Sequence, residues 1–241
     1  MQEKIAGKFE LVFLNANDVN KKNISEAEII FGNIKTEFLR EAKSLRFLQL
    51  QSAGADVYVS AREFFSTCVL ANATGAYGQS VAEHALALWF SLMKNLHLYR
   101  DNEQKKFWHD EGVSQTPLGK TALIVGAGDI GLYFAKLCKA LGVHTIGIKR
   151  RAVKSLANFD EVYTGEKIFE KISESDLVLS ILPETNETKN FWDAEKFSKI
   201  NAQSFFINVG RGATVNENDL IDALQKNKYK EPLLMFLQAS L

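Results

Sequence analysis

Hydrophobic residues in this chain follow two different spacings. Over residues 9–14, 27–31 and 45–50 they crowd into runs of five or six with brief polar interruptions, which read as short buried strands. Residues 57–59 and 67–70 are shorter extended candidates, and 36–41 fits a short helix. Short strands linked by helices predict a small parallel-sheet domain over roughly the first 80 residues.

After Gly75-Ala-Tyr-Gly78 the spacing changes. Residues 82–99 are rich in Ala and Leu with few polar breaks, which predicts one long helix buried on most sides, as at a domain hinge or a subunit interface. Ser80 is placed to cap it, and Glu83 completes a capping-box pattern. From Pro117 onward strand and helix alternate. Strands are expected over 121–125, 143–148, 161–163 (an edge), 176–182 and 204–209, with helices over 132–141, 168–173, 193–200 and 217–226. Asn216 is set to cap the last of these, and Asp219 to reinforce its first turn. Such alternation predicts a parallel sheet with helices on its faces.

The first strand of that half runs through Gly126-Ala-Gly128-Asp129-Ile130-Gly131 straight into a helix. Strand, G-x-G-x-x-G and helix together form the context of a dinucleotide-binding turn. Gly126 permits the turn, Gly128 lets the backbone approach a pyrophosphate, and Gly131 lets helix and strand pack closely. The helix start offers free N–H groups and a partial positive charge. A plain structural turn is the competing reading. The next strand ends in Lys149-Arg150-Arg151, where an NAD site carries an acidic residue for the ribose 2′-hydroxyl. Three cations suit a 2′-phosphate instead, favouring NADP(H) over NAD(H), with a solvated basic turn as the alternative. The strand over 204–209 ends in Gly210-Arg211-Gly212. Open α/β sheets bind ligands outside the carboxyl ends of their strands, so Arg211 is a candidate to clamp a carboxylate or polarise a carbonyl.

Composition narrows the partners. The 29 Lys and Arg balance 29 Asp and Glu, which argues against nucleic acid as a bulk electrostatic partner and leaves room for a local phosphate site. A hydrophobic content of 46% over 241 residues supplies the core of one large domain or two small ones. Cys68 and Cys138 lie in apolar surroundings and read as buried thiols of a reducing compartment, hence a cytoplasmic protein. There is no signal-peptide pattern and no apolar run long enough to span a membrane. His84, His97, His109 and His144 are too scattered for a metal motif. His84 reads as a hydrogen-bonded structural residue, and His97 and His109 are assigned no role.

Taken together, these pieces resemble the D-isomer-specific 2-hydroxyacid dehydrogenase family. The likeness rests on Gln51-Ser-Ala-Gly-Ala-Asp56, Ser80-Val-Ala-Glu-His-Ala85, Leu118-Gly-Lys-Thr121, the Gly126–Gly131 turn, Leu182-Pro-Glu-Thr-Asn-Glu-Thr188 and Ile207-Asn-Val-Gly-Arg-Gly212, continuing through residue 224. It covers nearly the whole chain in order and spacing. The resemblance implies an α/β protein: a Rossmann-type doubly wound parallel sheet preceded by a flavodoxin-like domain. The substrate domain with its linking helix would span 1–98, and the NAD(P)-binding domain 99–241. It implies an oxidoreductase that reduces a small 2-keto acid, such as glyoxylate, hydroxypyruvate or pyruvate, to the D-2-hydroxy acid, and a homodimer formed through the Ala-Glu-His helix. By the same likeness Arg211 holds substrate, Ala53 and Gly54 lend it backbone, and Asp129, Ile130, Pro183, Thr188 and Val209 join the glycines in contacting cofactor.

One departure stands out. Beyond residue 229 the family has a strand, an acidic residue and then the histidine that serves as acid/base. This chain reads Glu231-Pro-Leu-Leu-Met-Phe-Leu-Gln-Ala-Ser-Leu241, with 233–237 standing in for the strand and no Glu or His after it. The expectation is an incomplete C-terminus, from a truncated or frameshifted gene, and weak or absent turnover. A non-catalytic dinucleotide-binding regulatory or interaction protein is the alternative.

Overall fold

The computed structural model describes residues 10–61 and 67–225. By its packing the chain divides into two compact units between Thr74 and Gly75.

The first unit carries three parallel strands in sequence order, β1 (Ile29–Phe31), β2 (Phe47–Gln49) and β3 (Val69–Ala71). Ile30, Leu48 and Leu70 are in register on one face, over a core that includes Leu39, Leu45 and Tyr58. A short helix, α1 (Lys21–Ser25), begins with a reciprocal cap between Asn20 and Asn23. Among the described residues this sheet has three strands, fewer than the five of the expected flavodoxin-like order. Two sequence expectations fail here. Residues 10–14 form no strand and stay exposed, because no described strand offers them a ladder; Phe9 lies outside the described residues. Residues 57–59 are helical, in α2 (Asp56–Val59). A helical turn sends Tyr58 into the core, where its hydroxyl donates to the Ile34 carbonyl, and leaves Val57 and Val59 in solvent.

In the second unit α3 (Gly78–Met93) and α4 (Leu96–Gln104) precede β4 (Thr121–Val125), α5 (Asp129–Ala140), β5 (His144–Lys149), β6 (Glu161–Thr164), α6 (Ile168–Glu174), β7 (Leu177–Ser180), α7 (Ala194–Lys199), β8 (Phe205–Asn208) and α8 (Glu217–Gln225). The five strands are all parallel, in the order β6-β5-β4-β7-β8, with β6 at the expected edge. Alternation along β4 explains the two layers of helix. Ala122 and Ile124 face a core shared with α3 and α5, whereas Leu123 and Val125 face one shared with α6, α7 and α8. A sheet buried on both faces demands apolar residues at nearly every strand position, so these strands were legible as continuous runs.

The long helix predicted over 82–99 is two helices. Asn95 breaks it in the left-handed conformation (φ 54°), which asparagine tolerates better than most residues. Its buried side chain donates to the Glu111 carbonyl at 2.9 Å, fastening the break from a distant part of the chain. Nor does Ser80 cap. The helix starts at Gly78, ahead of Ser80, and Glu83 is hydrogen-bonded by Gln79 inside the first turns.

Candidate functional site

The order of the sheet reverses at β4: β5 and β6 extend to one side, β7 and β8 to the other. Ligands of open α/β sheets bind at such a switch point, outside the carboxyl ends. The glycine turn sits there. Gly126 has φ +111°, and the N–H groups of Gly126 and Ala127 both donate to the Ile148 carbonyl at the end of β5, at 3.1 Å. A Cβ on Gly126 would stand 2.9 Å from the Ile181 carbonyl oxygen just past β7, and one on Gly131 would stand 2.8 Å from the Gly126 oxygen. Neither position admits a side chain without displacing backbone. Gly128 differs, because a Cβ there would meet nothing within 4 Å. It is the N-cap of α5 and brings no side chain to cap it. The first intrahelical bond runs from Leu132 N to the Gly128 oxygen, so the N–H groups of Asp129, Ile130 and Gly131 point out of the helix start. The turn is closed on its inner side and open on its outer side, which fits a pyrophosphate.

The cations follow directly. Lys149 ends β5, one residue past the carbonyl that clamps the turn, and Arg150 and Arg151 are exposed beyond it. Among the described residues none of the three is in an ion pair.

On the other side of the switch point, the segment after β7 turns back on itself. The Thr188 hydroxyl donates to the Pro183 carbonyl at 2.6 Å and accepts from Thr185 N at 2.9 Å. Val209 is buried, and its N–H donates to the Ser180 carbonyl at 3.0 Å. A Cβ on Gly210 would lie 2.5 Å from the Leu182 oxygen. The ends of β4, β7 and β8 are therefore in backbone contact through glycines, with Arg211 next in the chain. Two residues missed in the sequence hold Arg211. Asn208, buried, accepts from Gly210 N at 3.1 Å and donates to the Arg211 carbonyl at 3.1 Å. Thr214 donates its hydroxyl to that same carbonyl at 2.6 Å. The signal was available: an Asn at a strand end two residues before a glycine is a side-chain turn pattern.

Ala53 and Gly54 belong to the first unit, where Asn72 Nδ2 donates to the Ala53 carbonyl at 2.8 Å and Ser52 Oγ to the Gly54 carbonyl at 2.8 Å. At the other end of the five-stranded sheet, His144 starts β5 and its Nε2 lies 2.8 Å from Glu161. Glu161 is held down to about 2 by hydrogen bonds from the Tyr163 hydroxyl and His144, with the Lys171 charge adding to them. Burial works to raise Asp160, but hydrogen bonds from Lys139 and Thr145 and the Lys139 charge outweigh it and hold Asp160 at about 2. Burial pushes the Cys138 thiol up to about 12 and raises Cys68 as well; both are free, as expected of inert core thiols. No helix of the described residues is long and apolar enough to cross a membrane.

A family model described as D-isomer specific 2-hydroxyacid dehydrogenase, NAD binding domain, matches residues 86–234. The D-lactate dehydrogenase of Streptococcus pyogenes serotype M1 is 26% identical over 191 residues, which are 77% of this chain and 56% of that enzyme. A crystallised D-isomer specific 2-hydroxyacid dehydrogenase family protein from Aeromonas salmonicida is similar with a TM-score of 0.78 and 31% identity, over 89% of this chain and 68% of that one. The D-lactate dehydrogenase of Aquifex aeolicus, crystallised with NAD and lactic acid, shares the fold at a TM-score of 0.77 and 21% identity, over 95% of this chain and 70% of that one. The chain thus spans about 56–70% of the length of these relatives.

Proposed function

Because the chain belongs to the D-isomer specific 2-hydroxyacid dehydrogenase family, we propose that its site binds a nicotinamide dinucleotide and a small 2-keto acid for oxidoreduction. The observation that carries the reading is the meeting of Gly126, Ile181, Leu182 and Gly210 at the carboxyl ends of three strands, with Arg211 beside them. Gly126, Gly128 and Gly131 shape the turn, and the N–H groups of Asp129, Ile130 and Gly131 hold the pyrophosphate. Pro183, Thr188 and Val209 line the nicotinamide side. Lys149, Arg150 and Arg151 grip a ribose 2′-phosphate, so NADP(H) binds more tightly than NAD(H). When bound, the reduced dinucleotide supplies a hydride for the keto carbon. Arg211 pairs with the substrate carboxylate and favours the negative charge that develops on the keto oxygen. Residues 1–98, with the linking helix, serve substrate, to which Ala53 and Gly54 lend backbone, and residues 99–241 serve cofactor. Two copies associate through α3, and the buried free thiols suit a reducing, cytoplasmic setting.

Turnover by these residues alone is weak. His144 is the last histidine in the sequence, and it is tied to Glu161 at the amino end of β5. A general acid contributes roughly 10²–10⁴-fold. Steady-state assays of the 241-residue chain with glyoxylate, hydroxypyruvate and pyruvate, each with NADPH and NADH, test this. Cofactor binding with slow turnover that drops further in Arg211→Gln is the expected result. Rates of about 10 s⁻¹, ordinary for an enzyme, would overturn the impairment. No binding of either cofactor would overturn the site.

A further inference from the structure

The dinucleotide turn carries a carboxylate that the reading above leaves without a role. Asp129 opens α5, and its N–H is among those that point out of the helix start. Its side chain hangs from the same residue. An aspartate in the first turn of a helix is favoured by the helix dipole. It also opposes any anion that approaches the same helix start, and a pyrophosphate is such an anion.

The structure shows where that carboxylate goes. A Cβ built on Gly78 would stand 2.1 Å from Asp129 Oδ2 and 2.6 Å from Asp129 Cγ, with the Tyr133 ring next at 2.8 Å. The carboxylate therefore lies against the first residue of α3, in space that exists because residue 78 has no side chain. Gly78 is buried there and Asp129 half-buried. The start of α3 is a fitting host for negative charge. Its N-cap, Tyr77, gives it no side-chain cap. The first intrahelical bond runs from Val81 N to the Tyr77 carbonyl at 3.0 Å, so the N–H groups of Gly78, Gln79 and Ser80 have no acceptor within the helix. One carboxylate thus serves two helix starts, and among the described residues no cation pairs with it. A side chain at residue 78 would displace it from α3 and remove the positive helix end that offsets its charge. We infer that Asp129 sets the dinucleotide affinity of the turn from above, opposing the pyrophosphate by its charge, and that Gly78 and the start of α3 limit this opposition by holding the carboxylate. A turn so balanced binds a dinucleotide and still lets it go, and release rather than chemistry limits many enzymes. The inference rests on the dinucleotide reading of the turn and adds to it a side chain that works against binding.

Calorimetric titration of NADPH and NADH into the full chain tests it, with melting temperatures taken in the absence of cofactor. D129N keeps the size of the side chain and removes its charge. Both cofactors are expected to bind D129N about threefold to tenfold more tightly than the native chain. D129N is also expected to melt roughly 1–4 °C lower, because two helix starts lose a favourable charge. The affinity gap narrows as salt is raised, since it is electrostatic. A residue that only held the fold would lower the melting temperature alone, and one that gripped the cofactor would lose affinity on neutralisation. The place of the carboxylate is read from Gly78. Alanine is at ease inside a helix, so G78A changes little besides this contact. It is expected to weaken binding about threefold or more in the native background and to leave binding level when added to D129A. A native chain that binds neither cofactor overturns the dinucleotide reading together with this inference. Native binding with D129N level or weaker overturns this inference alone, and so does a loss in G78A that persists in D129A.

Discussion

The two rims of the five-stranded sheet are built from opposite materials. At the amino ends of the strands, side chains answer one another. Asp176 accepts from Lys120 Nζ at 2.8 Å and from Thr121 N at 2.9 Å. Asp160 accepts from Thr145 N and Oγ1, both at 2.8 Å, and from Lys139 Nζ, while the Ser204 hydroxyl donates to the Ser175 carbonyl. At the carboxyl ends, glycines replace side chains, a helix start is left uncapped and three cations stand without ion-pair partners among the described residues. A buried polar group left without a partner costs about 1–3 kcal/mol, so folding alone drives a rim toward the first arrangement. The second makes sense where a ligand completes it. The paired rim holds the sheet together, and the open rim is where chemistry belongs.

The comparison breaks most sharply at Gly128. Its Cβ would meet nothing within 4 Å and its backbone is extended (φ −98°), so the Cβ that Gly128→Val adds has open space in the free protein. The new side chain would stand where the backbone has to approach a pyrophosphate. Each charge-assisted hydrogen bond lost contributes about 1.5–3 kcal/mol, so two of them make a loss of roughly a hundredfold or more in affinity. Calorimetric titration is expected to show that loss while the melting temperature stays within about a degree or two of native. Native-like affinity in Gly128→Val would mean that the open turn is only a turn.

A smaller effect sharpens the same rim. In R150Q/R151Q, NADPH affinity is expected to fall roughly tenfold to a hundredfold and NADH affinity to stay level, since only the 2′-phosphate loses partners. Titrating both cofactors into both proteins reads this directly. Equal affinities in the native chain would reduce the cations to a solvated turn.

Much of this contrast was legible in the sequence, for identifiable reasons. Strands of a sheet covered on both faces are apolar throughout, so β4, β5, β7 and β8 announced themselves, and the glycines stand out because the turn needs Gly126 at positive φ and Gly131 against the Gly126 oxygen. What stayed hidden was decided by distant partners. Val57 and Val59 favour a strand locally, yet Tyr58 reaching the Ile34 carbonyl makes the segment helical. Ser80 looks like a cap, but the helix already starts at Gly78, packed so closely on α5 that a Cβ there would stand 2.1 Å from Asp129 Oδ2. The break at Asn95 depends on Glu111. The paired rim was almost invisible, since Lys120 and Asp176 lie far apart in the chain and meet only once β4 and β7 are neighbours.

The smallest expected effect lies on that paired rim, in acid. Asp160 and Glu161 ordinarily titrate near 3.8 and 4.5, and in the folded chain both are held at about 2. A carboxylate whose folded value is depressed contributes stability that is fully present above its unfolded value and is lost as pH falls through the folded one. The window is therefore from about pH 4.5 down to about 2. Both side chains keep about a third of their surface in solvent, 29% and 32%, which screens the interaction. Pairs of this kind contribute about 0–1 kcal/mol each, and about 1 kcal/mol moves the melting temperature of a domain this size by roughly 2–4 °C. D160N/E161Q is expected to melt a few degrees lower than native at pH 7, with the gap closing as both proteins are taken toward pH 2.5. R150Q/R151Q, altered on the open rim, should follow the native curve throughout. If D160N/E161Q and the native chain lost stability in parallel across that window, the amino-end carboxylates would not be what holds this rim, and the division of labour between the two rims would fail on its structural side.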